Sequence, residues 1–442
     1  MLAKFKKKYI GDWDFYQKYL LLAIPMILQN AITNLVSFLD NIMVGQLGTE
    51  QMSGVAIVNQ LIFVYNLAIF GAVSAASIFG AQYFGKGNHK GHMYSFRFKL
   101  YATLLVTGGA ILLFLTKGSA LISLYLTDTV GNGATDLALQ YGLEYLAIMM
   151  VGLIPFAVNQ SYATNIKETG QTFIPMLASF VAVGTNAILD YLMIFGIGPF
   201  PELGVQGAAL ATVIARYIEA LIVVIWAHIH RGKNRYLEGA YTGFGIPLAE
   251  LKAILIKGFP LMMNEVLWAA GMTTVTQCYS VRGLDVVAGL NIASTITNLF
   301  NIVYLQLGSC ISIVVGQYLG AGKLEDAKDA DNKMIVFSVF CCVIMAALMF
   351  VVGGFFPGIY NTTEEIRELA TSFIAVSAII MPFCAFSHAS YFTLRSGGKT
   401  VVTFLFDSVF TWVIVVPAAY LLAHFTGLGI VGIYFLVQGT EL

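Results

Sequence analysis

Four oxygen-bearing side chains lie within apolar segments of this chain and could together hold a small cation. Asp40 lies late in the first apolar segment, and Asp190 lies late in the fifth. Asn186 precedes Asp190 by four residues, so a helix would place the amide and the carboxylate on one face. Thr212 lies in the sixth segment. Two carboxylates, an amide and a hydroxyl suit a hard monovalent cation such as Na⁺, and they suit a shared proton equally well.

Helices must bring these four side chains together. The first and fifth segments are predicted to cross the membrane in the same direction, so Asp40 and Asp190 would reach a similar depth. The small residues Gly-Ala-Ala at 207–209 precede Thr212 and would allow a close approach between helices. A polar cluster that only holds helices together is the alternative interpretation, and these residue types do not distinguish Na⁺ from H⁺.

A second group of polar residues lies in the later part of the chain. Glu265 follows Pro260 by five residues, and Asn264 and His388 also lie within apolar segments. Polar and ionisable groups are costly in hydrocarbon, so these three are candidates for a second substrate or ion site. Hydrogen bonding to a neighbouring helix is the alternative. Pro25 and Pro260 each remove a backbone hydrogen bond, which predicts kinks in the first and seventh helices, with ordinary packing as the alternative.

Other charged residues in these segments favour structural interpretations. Arg216 and Glu219 are three residues apart, which predicts an ion pair on one helix. Glu144 and Asp407 lie a turn or two inside helix ends, where solvation explains them as well as function does. His89 and His92 lie in a basic loop without further ligands, so no metal site is expected there.

The composition indicates a membrane-embedded fold. Hydrophobic residues make up 58% of the 442 residues, charged residues make up only 11%, and the mean hydropathy is +0.78. A soluble domain carries about 25% charged residues, and a bilayer-spanning helix needs about 20 apolar residues. The chain is therefore predicted to be an all-α integral membrane protein with twelve transmembrane helices. The apolar segments lie near 16–46, 51–82, 93–116, 137–162, 172–196, 205–229, 253–280, 285–318, 334–354, 366–391, 401–424 and from 428 onward.

An internal repeat divides these helices into two sets of six. Residues 81–87 read AQYFGKG and residues 316–322 read GQYLGAG, and the same spacing of 235 residues links Pro25 with Pro260. Two six-helix repeats that begin on the same side of the membrane are related by an axis along its normal. The predicted domains are a cytoplasmic tail at 1–15, a first lobe at 16–229, a connector at 230–250 and a second lobe at 251–442, whose last helix is expected to be cut short.

The distribution of charge predicts an orientation. Of the 24 Lys and Arg residues, only Lys117, Arg282 and Arg367 fall on the side opposite the N-terminus, and Arg216 lies within a span. Positive residues favour the cytoplasmic side, so the N-terminus is predicted to be cytoplasmic. The net charge of +0 indicates no nucleic-acid partner, and the five cysteines lie within spans as packing residues. No phosphate-binding or hydrolase motif occurs, so neither an enzyme nor a cofactor is expected.

Several motifs of this chain occur in a specific combination. They are Asp40 followed by NIMVGQLG, the pair AQYFGKG and GQYLGAG, Asn186-xxx-Asp190, and GAALATV at 207–213. In this combination the chain resembles the multidrug and toxic compound extrusion (MATE) transporters over nearly its whole length. The resemblance implies two six-helix lobes around a central cleft that faces each side of the membrane alternately. It also implies export of organic cations and other amphipathic compounds in exchange for Na⁺ or H⁺.

The resemblance implies roles for particular residues. Pro25 matches a first-helix proline that is associated with bending, and Glu265 resembles a second-lobe carboxylate used in one branch of the family. That branch also has an acid in its tenth helix, whereas residues 373–391 contain no Asp or Glu, which favours a site in the first lobe. The resemblance places that first-lobe cation site at Asp40, Asn186, Asp190 and Thr212, with the Ala208 carbonyl as an extra ligand.

A secondary active antiporter is the function that these observations favour. We expect a monomer in a bacterial plasma membrane, surrounded by lipid, with a small cationic or amphipathic molecule as its substrate and Na⁺ or H⁺ as its coupling ion. A flippase for lipids or lipid-linked precursors would more naturally carry several cations in its cleft, whereas Arg216 is the only arginine within a span. A channel or a non-transporting membrane scaffold is the alternative from another class.

Overall fold

The computed structural model describes residues 8–126, 132–243 and 245–440, and within them the chain is helical and contains no β-strand. Two short 3₁₀ turns, Arg235–Leu237 and Phe356–Ile359, lie between helices. The helices are α1 Trp13–Gly45, α2 Thr49–Gly85, α3 His89–Ser123, α4 Asn132–Val151, α5 Leu153–Glu168, α6 Phe173–Ile194, α7 Gly204–Ile229, α8 Leu248–Ser280, α9 Leu284–Gly320, α10 Leu324–Gly353, α11 Glu364–Ser396, α12 Thr400–Phe425 and α13 Ile430–Thr440.

The predicted all-α membrane fold is confirmed. In the described residues, ten helices are long and apolar enough to cross a bilayer, and α4 and α5 form one further span that is bent by 44°. Pro155 lies in the first turn of α5 and has no N–H to donate to the carbonyl of Val151, which accounts for the break. The shorter apolar helix α13 occupies the position of the twelfth predicted segment.

The helices group into two compact units. One contains the described residues up to Ile27 together with 81–87 and 255–440, and the other contains 28–80 and 88–254 of the described chain. Helices α1, α2 and α8 therefore each run from one unit into the other. Pro25 and Pro260 lie inside α1 and α8, close to those crossing points. Kinking at these prolines and the lobe boundary at 230–250 stay predictions.

The connector after α7 is clamped to the start of α3 by one arginine. Arg97 is buried, and its guanidinium donates hydrogen bonds to the carbonyl oxygens of Ala240 at 2.9 Å, Gly245 at 2.8 Å and Gly239 at 2.6 Å. Tyr236 packs beside Phe96 in an apolar cluster, and burial raises the pKa of its phenol well above the usual range. The connector is thus an ordered part of this unit.

Replacing Arg97 with glutamine should loosen the connector. Hydrogen bonds from charged donors contribute about 1.5–3 kcal/mol each, so we expect the protein to lose about 2 kcal/mol or more of stability. The measurements are the melting temperature and the rate of tryptic cleavage after Lys233. Arg235→Gln is the matched control, because the Arg235 side chain forms an exposed ion pair with Glu238. Equal melting temperatures for the two variants would contradict this role of Arg97.

The two copies of the repeated motif lie directly against each other. A Cβ on Gly85 would come 1.9 Å from the carbonyl oxygen of Gln317, and a Cβ on Gly320 would come 1.9 Å from that of Gln82. Gln82 also donates from Nε2 to the carbonyl oxygen of Ser396 at 2.7 Å. The reciprocal contact joins the ends of α2 and α9, backbone to backbone. Glycine is therefore required at both copies of the position, because any side chain would displace the backbone opposite.

Candidate functional site

Helices α1, α6 and α7 position the four first-lobe candidates. Asp40 lies one turn before the end of α1, and Asn186 and Asp190 lie on successive turns of α6. The start of α7 packs tightly on the end of α6, because a Cβ on Gly207 would come 2.6 Å from the carbonyl oxygen of Met193. This close approach sets Thr212 beside the polar face of α6.

The carboxyl groups of Asp40 and Asp190 face each other within hydrogen-bonding range. Asp190 is only 1% exposed, and Asp40 is partly buried. Among the described residues, no N–H or O–H donor reaches either Asp190 oxygen or Oδ1 of Asp40. Two ionised carboxylates can only accept hydrogen bonds, and buried charges without partners are costly. The arrangement therefore needs a positive partner between the two groups, which a bound proton or a small cation would supply.

Asn186 and Thr212 complete this polar group. Asn186 is buried, and its amide lies near the Asp190 carboxylate without forming a hydrogen bond to it. Its Nδ2 lies 3.5 Å from Oγ1 of Thr212, at the limit of hydrogen-bonding distance. All four side chains that we predicted for this site are thus brought together, and their role as cation ligands stays a prediction.

An apolar cluster closes one side of the carboxylate pair. Val44 follows Asp40 by one turn, Ile194 follows Asp190 by one turn, and both belong to the same buried cluster as Ala208. The structure places the Ala208 side chain in this packing layer. The role of the Ala208 carbonyl as a cation ligand stays a prediction. The layer keeps water away from the carboxylates on this side, which strengthens their interaction with any cation.

Tyr145 lies near the carboxylate pair, and the sequence analysis did not include it. Tyr145 is buried and within electrostatic range of Asp40, Asp190 and Arg216, and its hydroxyl lies 3.3 Å from Oδ1 of Asn59. No sequence spacing links α4 to the residues of α1 and α6. Only packing could have identified it.

The predicted ion pair between Arg216 and Glu219 does not form. Arg216 instead donates to the carbonyl oxygen of Gly152 at 3.4 Å and stacks over the ring of Phe156. Glu219 accepts a 2.5 Å hydrogen bond from Ser179 on α6. Spacing on one helix brought the two charges near each other, but contacts to other helices satisfy each of them separately.

A buried charge network joins α3 and α5. Lys99 lies 2.5 Å from one carboxylate oxygen of Glu168, and His92 lies 3.3 Å from the other. A Cβ on Gly80 would collide with this carboxylate, so Gly80 leaves room for it. The described residues contain no group of three or more His, Cys, Asp or Glu side chains that could hold a metal ion. The absence of a metal site at His92 stays a prediction.

In the other unit, helices α8, α11 and α12 surround the second group of candidates. Asn264 donates from Nδ2 to Asp407 at 2.6 Å and to the Tyr391 hydroxyl at 3.3 Å. Glu265 lies 3.8 Å from the guanidinium of Arg395. The sequence explained Asp407 equally well by solvation at a helix end. In the structure Asp407 instead contacts Asn264, which we predicted as a site residue.

His388 does not share these contacts. Its Nδ1 lies 3.0 Å from the carbonyl oxygen of Cys384, and its ring packs against Tyr304. The contacts favour the structural interpretation of this histidine over membership of a site with Glu265.

Comparison with known proteins agrees with the fold. The MatE family model matches residues 25–192 and 260–421. The probable multidrug resistance protein NorM of Thermotoga maritima is 24% identical over 93% of this chain and 86% of its own length. NorM of Bacillus subtilis, also described as a probable multidrug resistance protein, is 23% identical over 92% of this chain and 89% of its own.

Solved structures give the same result for the fold. A MOP superfamily transporter from Pyrococcus furiosus superposes with a TM-score of 0.86 at 20% identity, over 98% of this chain and 93% of that one. An outward-facing multidrug resistance MATE family transporter has the same TM-score, identity and coverage. The family match takes in well over half of the chain and includes Asp40, Asp190 and Glu265. The chain therefore belongs to the MatE family of membrane transporters.

Proposed function

We propose that this protein is a secondary active antiporter that exports organic cations or other amphipathic compounds in exchange for Na⁺ or H⁺. The observation that supports it most is the Asp40–Asp190 pair, whose buried oxygens lack donors among the described residues. Ionisable groups held inside a transmembrane bundle mark ion pathways by default. A purely structural cluster would instead satisfy its carboxylates with donors from neighbouring helices.

Cation movement and export of the compound would be coupled because the site differs in net charge with and without its bound cation. With a cation bound, the pair is partly neutralised and tolerates a closed, dry environment. Without one, two negative charges repel and favour a conformation that admits water. A ligand shifts a conformational equilibrium only by its differential affinity for the two states. An inward-moving cation and an outward-moving compound that prefer opposite conformations would therefore exchange for each other.

The donor set suits either coupling ion. Asp40 and Asp190 supply carboxylate oxygens, Asn186 supplies an amide oxygen and Thr212 supplies a hydroxyl. Oxygen ligands are those that hard cations prefer. The short separation of the two carboxyl groups equally allows one proton to be shared between them.

The relatives support the substrate class and the setting. Several bacterial relatives are described as probable multidrug resistance proteins, so we assign small molecules of varied structure as the exported compounds. The excess of Lys and Arg on one side supports a cytoplasmic N-terminus in a bacterial plasma membrane. A monomer within membrane lipid is sufficient for this mechanism.

Transport by purified protein in liposomes tests the proposal. Uptake of ethidium would be followed with a Na⁺ gradient, with a proton gradient, and with neither. We expect uptake with one gradient or both, and none beyond protein-free liposomes without a gradient. Single-channel currents would instead indicate a channel, and movement of labelled lipid without ethidium uptake would indicate a flippase. No solute movement under any gradient would contradict the proposal.

A further inference from the structure

The guanidinium of Arg216 has few partners for a charge inside a transmembrane helix. It donates one hydrogen bond, of 3.4 Å, to the carbonyl oxygen of Gly152 and lies 5.1 Å from the centre of the Phe156 ring. A guanidinium carries five N–H donors, and charged side chains within spans pair with acids or with carbonyl oxygens. Among the described residues, most of the Arg216 donors are unused, and the side chain is only partly buried. Arg216 can therefore take another partner.

The Glu219 carboxylate does not depend on Arg216. It accepts a hydrogen bond of 2.5 Å from a serine hydroxyl of α6, and Lys167, in the last turn of α5, lies within electrostatic range of it. A second positive charge thus serves the acid that is nearest to Arg216 in sequence. The carboxylates of Asp40 and Asp190, by contrast, need a positive partner between them.

Arg216 lies one turn after a predicted ligand of the cation site, on the same face of α7. Thr212 precedes it by four residues, and its Oγ1 is 3.5 Å from Nδ2 of Asn186. Side chains of a helix lean towards its N-terminus, so the Arg216 side chain leans towards the turn that carries Thr212. One helical turn rises about 5.4 Å, which an extended arginine side chain spans. A rotation of its stem would therefore bring the guanidinium towards the carboxylate pair.

Two neighbours of Arg216 favour such a rotation. Gly152 leaves space beside the stem, because a Cβ there would come 3.4 Å from Cδ of Arg216. Tyr145 lies within electrostatic range of the guanidinium and of both carboxylates, and its hydroxyl donates to Oδ1 of Asn59 at 3.3 Å. A hydroxyl that donates one hydrogen bond can also accept one. Tyr145 therefore offers an acceptor that neighbours both the guanidinium and the carboxylate pair.

We propose that Arg216 is a tethered cation that competes with the coupling ion for the Asp40–Asp190 pair. When Na⁺ or H⁺ leaves, the guanidinium turns from the Gly152 carbonyl to the pair and neutralises one carboxylate, and it turns back when the ion binds. Arginine stays charged in proteins, so it competes with either ion. This inference rests on the proposed function and adds a cation of the protein itself to the cycle. Its charge stabilises the pair without a bound ion inside the membrane.

An anionic group of the exported compound fits Arg216 less well. The three carboxylates of Asp40, Asp190 and Glu219 outnumber the two positive charges of Arg216 and Lys167. Like charges repel strongly in a medium of low dielectric constant, so these surroundings disfavour a further anion. They favour a cation that is already attached to the protein.

Equilibrium binding of the coupling ion to full-length protein in nanodiscs tests the competition. ²²Na⁺ measures sodium, and a pH-sensitive dye measures protons. Arg216→Gln removes the tethered charge, so we expect the ion that the wild type binds to be held about tenfold more tightly. Arg216→Lys keeps a positive charge on a stem of similar length and should bind the ion like the wild type. Arg235→Gln, which removes an exposed charge of the connector, is the control and should also bind it like the wild type.

Infrared difference spectra distinguish a moving arginine from a fixed one. Spectra of protein labelled with ¹⁵N-arginine would be recorded before and after the ion is added. We expect a change in the guanidinium bands of the wild type, because the guanidinium exchanges a carboxylate partner for a carbonyl partner. The change should be absent from Arg216→Gln. An arginine that stays at Gly152 throughout would give no such change.

Tighter ion binding cannot arise from a folding defect, so a loss of stability in Arg216→Gln would not imitate the expected result. Four results would each overturn the inference. They are unchanged or weaker ion binding in Arg216→Gln, equally tight binding in Arg216→Lys and Arg216→Gln, no change in the guanidinium bands of the wild type, and no ion binding by the wild type.

The outcome is separable from that of the proposed function. Gradient-driven uptake of ethidium in liposomes reports on antiport, whereas ion binding without a gradient reports on Arg216. Normal uptake by the wild type together with unchanged ion binding in Arg216→Gln would remove only the tethered cation. The predicted binding and spectral changes without gradient-driven uptake by the wild type would remove only the antiport mechanism.

Discussion

Replacing Asp190 or Asp40 with asparagine should reduce gradient-driven uptake to the level of protein-free liposomes, while the protein still folds and inserts. Asparagine has nearly the same shape, so the packing of α1 against α6 is kept. It cannot bind a proton or neutralise Na⁺. An asparagine at position 40 would also supply an N–H donor to Asp190, whose oxygens have no hydrogen-bond partner among the described residues. We therefore expect an unchanged or higher melting temperature together with the loss of coupling.

The two substitutions should not be additive. If both carboxylates hold one cation, either change alone removes the site, and the double variant should be no worse than each single one. Glu144→Gln, which removes a half-buried carboxylate on α4, should transport like the wild type. Transport in Asp40→Asn or Asp190→Asn at the control rate would contradict the assignment.

Substitution of Gly85 or Gly320 by alanine should have the largest effect on stability. In each case the new Cβ would come 1.9 Å from a backbone oxygen of the opposite motif, far inside van der Waals contact. The opposing group is backbone, so it cannot rotate away, and α2 and α9 must separate. Overpacking in a close-packed core costs about 1–3 kcal/mol and sometimes more, and we expect about 3 kcal/mol or more here.

Thermal unfolding and gel filtration measure this effect. Both variants should melt several degrees below the wild type and should yield less monodisperse protein. Gly108→Ala on α3 is the matched control, because a Cβ there meets nothing within 4 Å and alanine favours the helix. If Gly85→Ala and Gly320→Ala melt like Gly108→Ala, the backbone contact between the two motifs does not hold these helices together.

The helices were largely predictable because membrane spans are set by length and apolar content. All twelve apolar segments correspond to described helices, with α4 and α5 forming one segment between them. The break between those two helices was missed, although Pro155 carries the signal for it. The ordering of the connector was also missed, because its clamp is Arg97, a residue of α3 that lies far away in sequence.

The proximity of the four first-lobe side chains was predictable, because two of them, Asn186 and Asp190, are four residues apart on one helix. Asn186 and Asp190 share a face of α6, and Asp40 needed only a helix of the same direction. The second-lobe cluster was not predictable in full, because Asp407 meets Asn264 only through the register of α12 and its π-helical turns. Local spacing suggests a partner on the same helix, which is why Arg216 and Glu219 were wrongly predicted to form an ion pair.

The structure shows a contact between the two copies of the repeated motif that the sequence did not reveal. The spacing between AQYFGKG and GQYLGAG indicated duplication, and the structure adds that the two copies touch through Gly85 and Gly320. Sequence comparison within one chain finds equivalent residues, but it does not say whether they meet.

Release of the coupling cation on substrate binding tests the central claim most directly. Saturating methyltriphenylphosphonium would be added to purified protein, and the released cation would be counted, with ²²Na⁺ for sodium and a pH-sensitive dye for protons. We expect release of about one cation per wild-type protein and none from Asp40→Asn or Asp190→Asn. Equal release from the wild type and from both variants would show that the Asp40–Asp190 pair does not hold the exchanged cation.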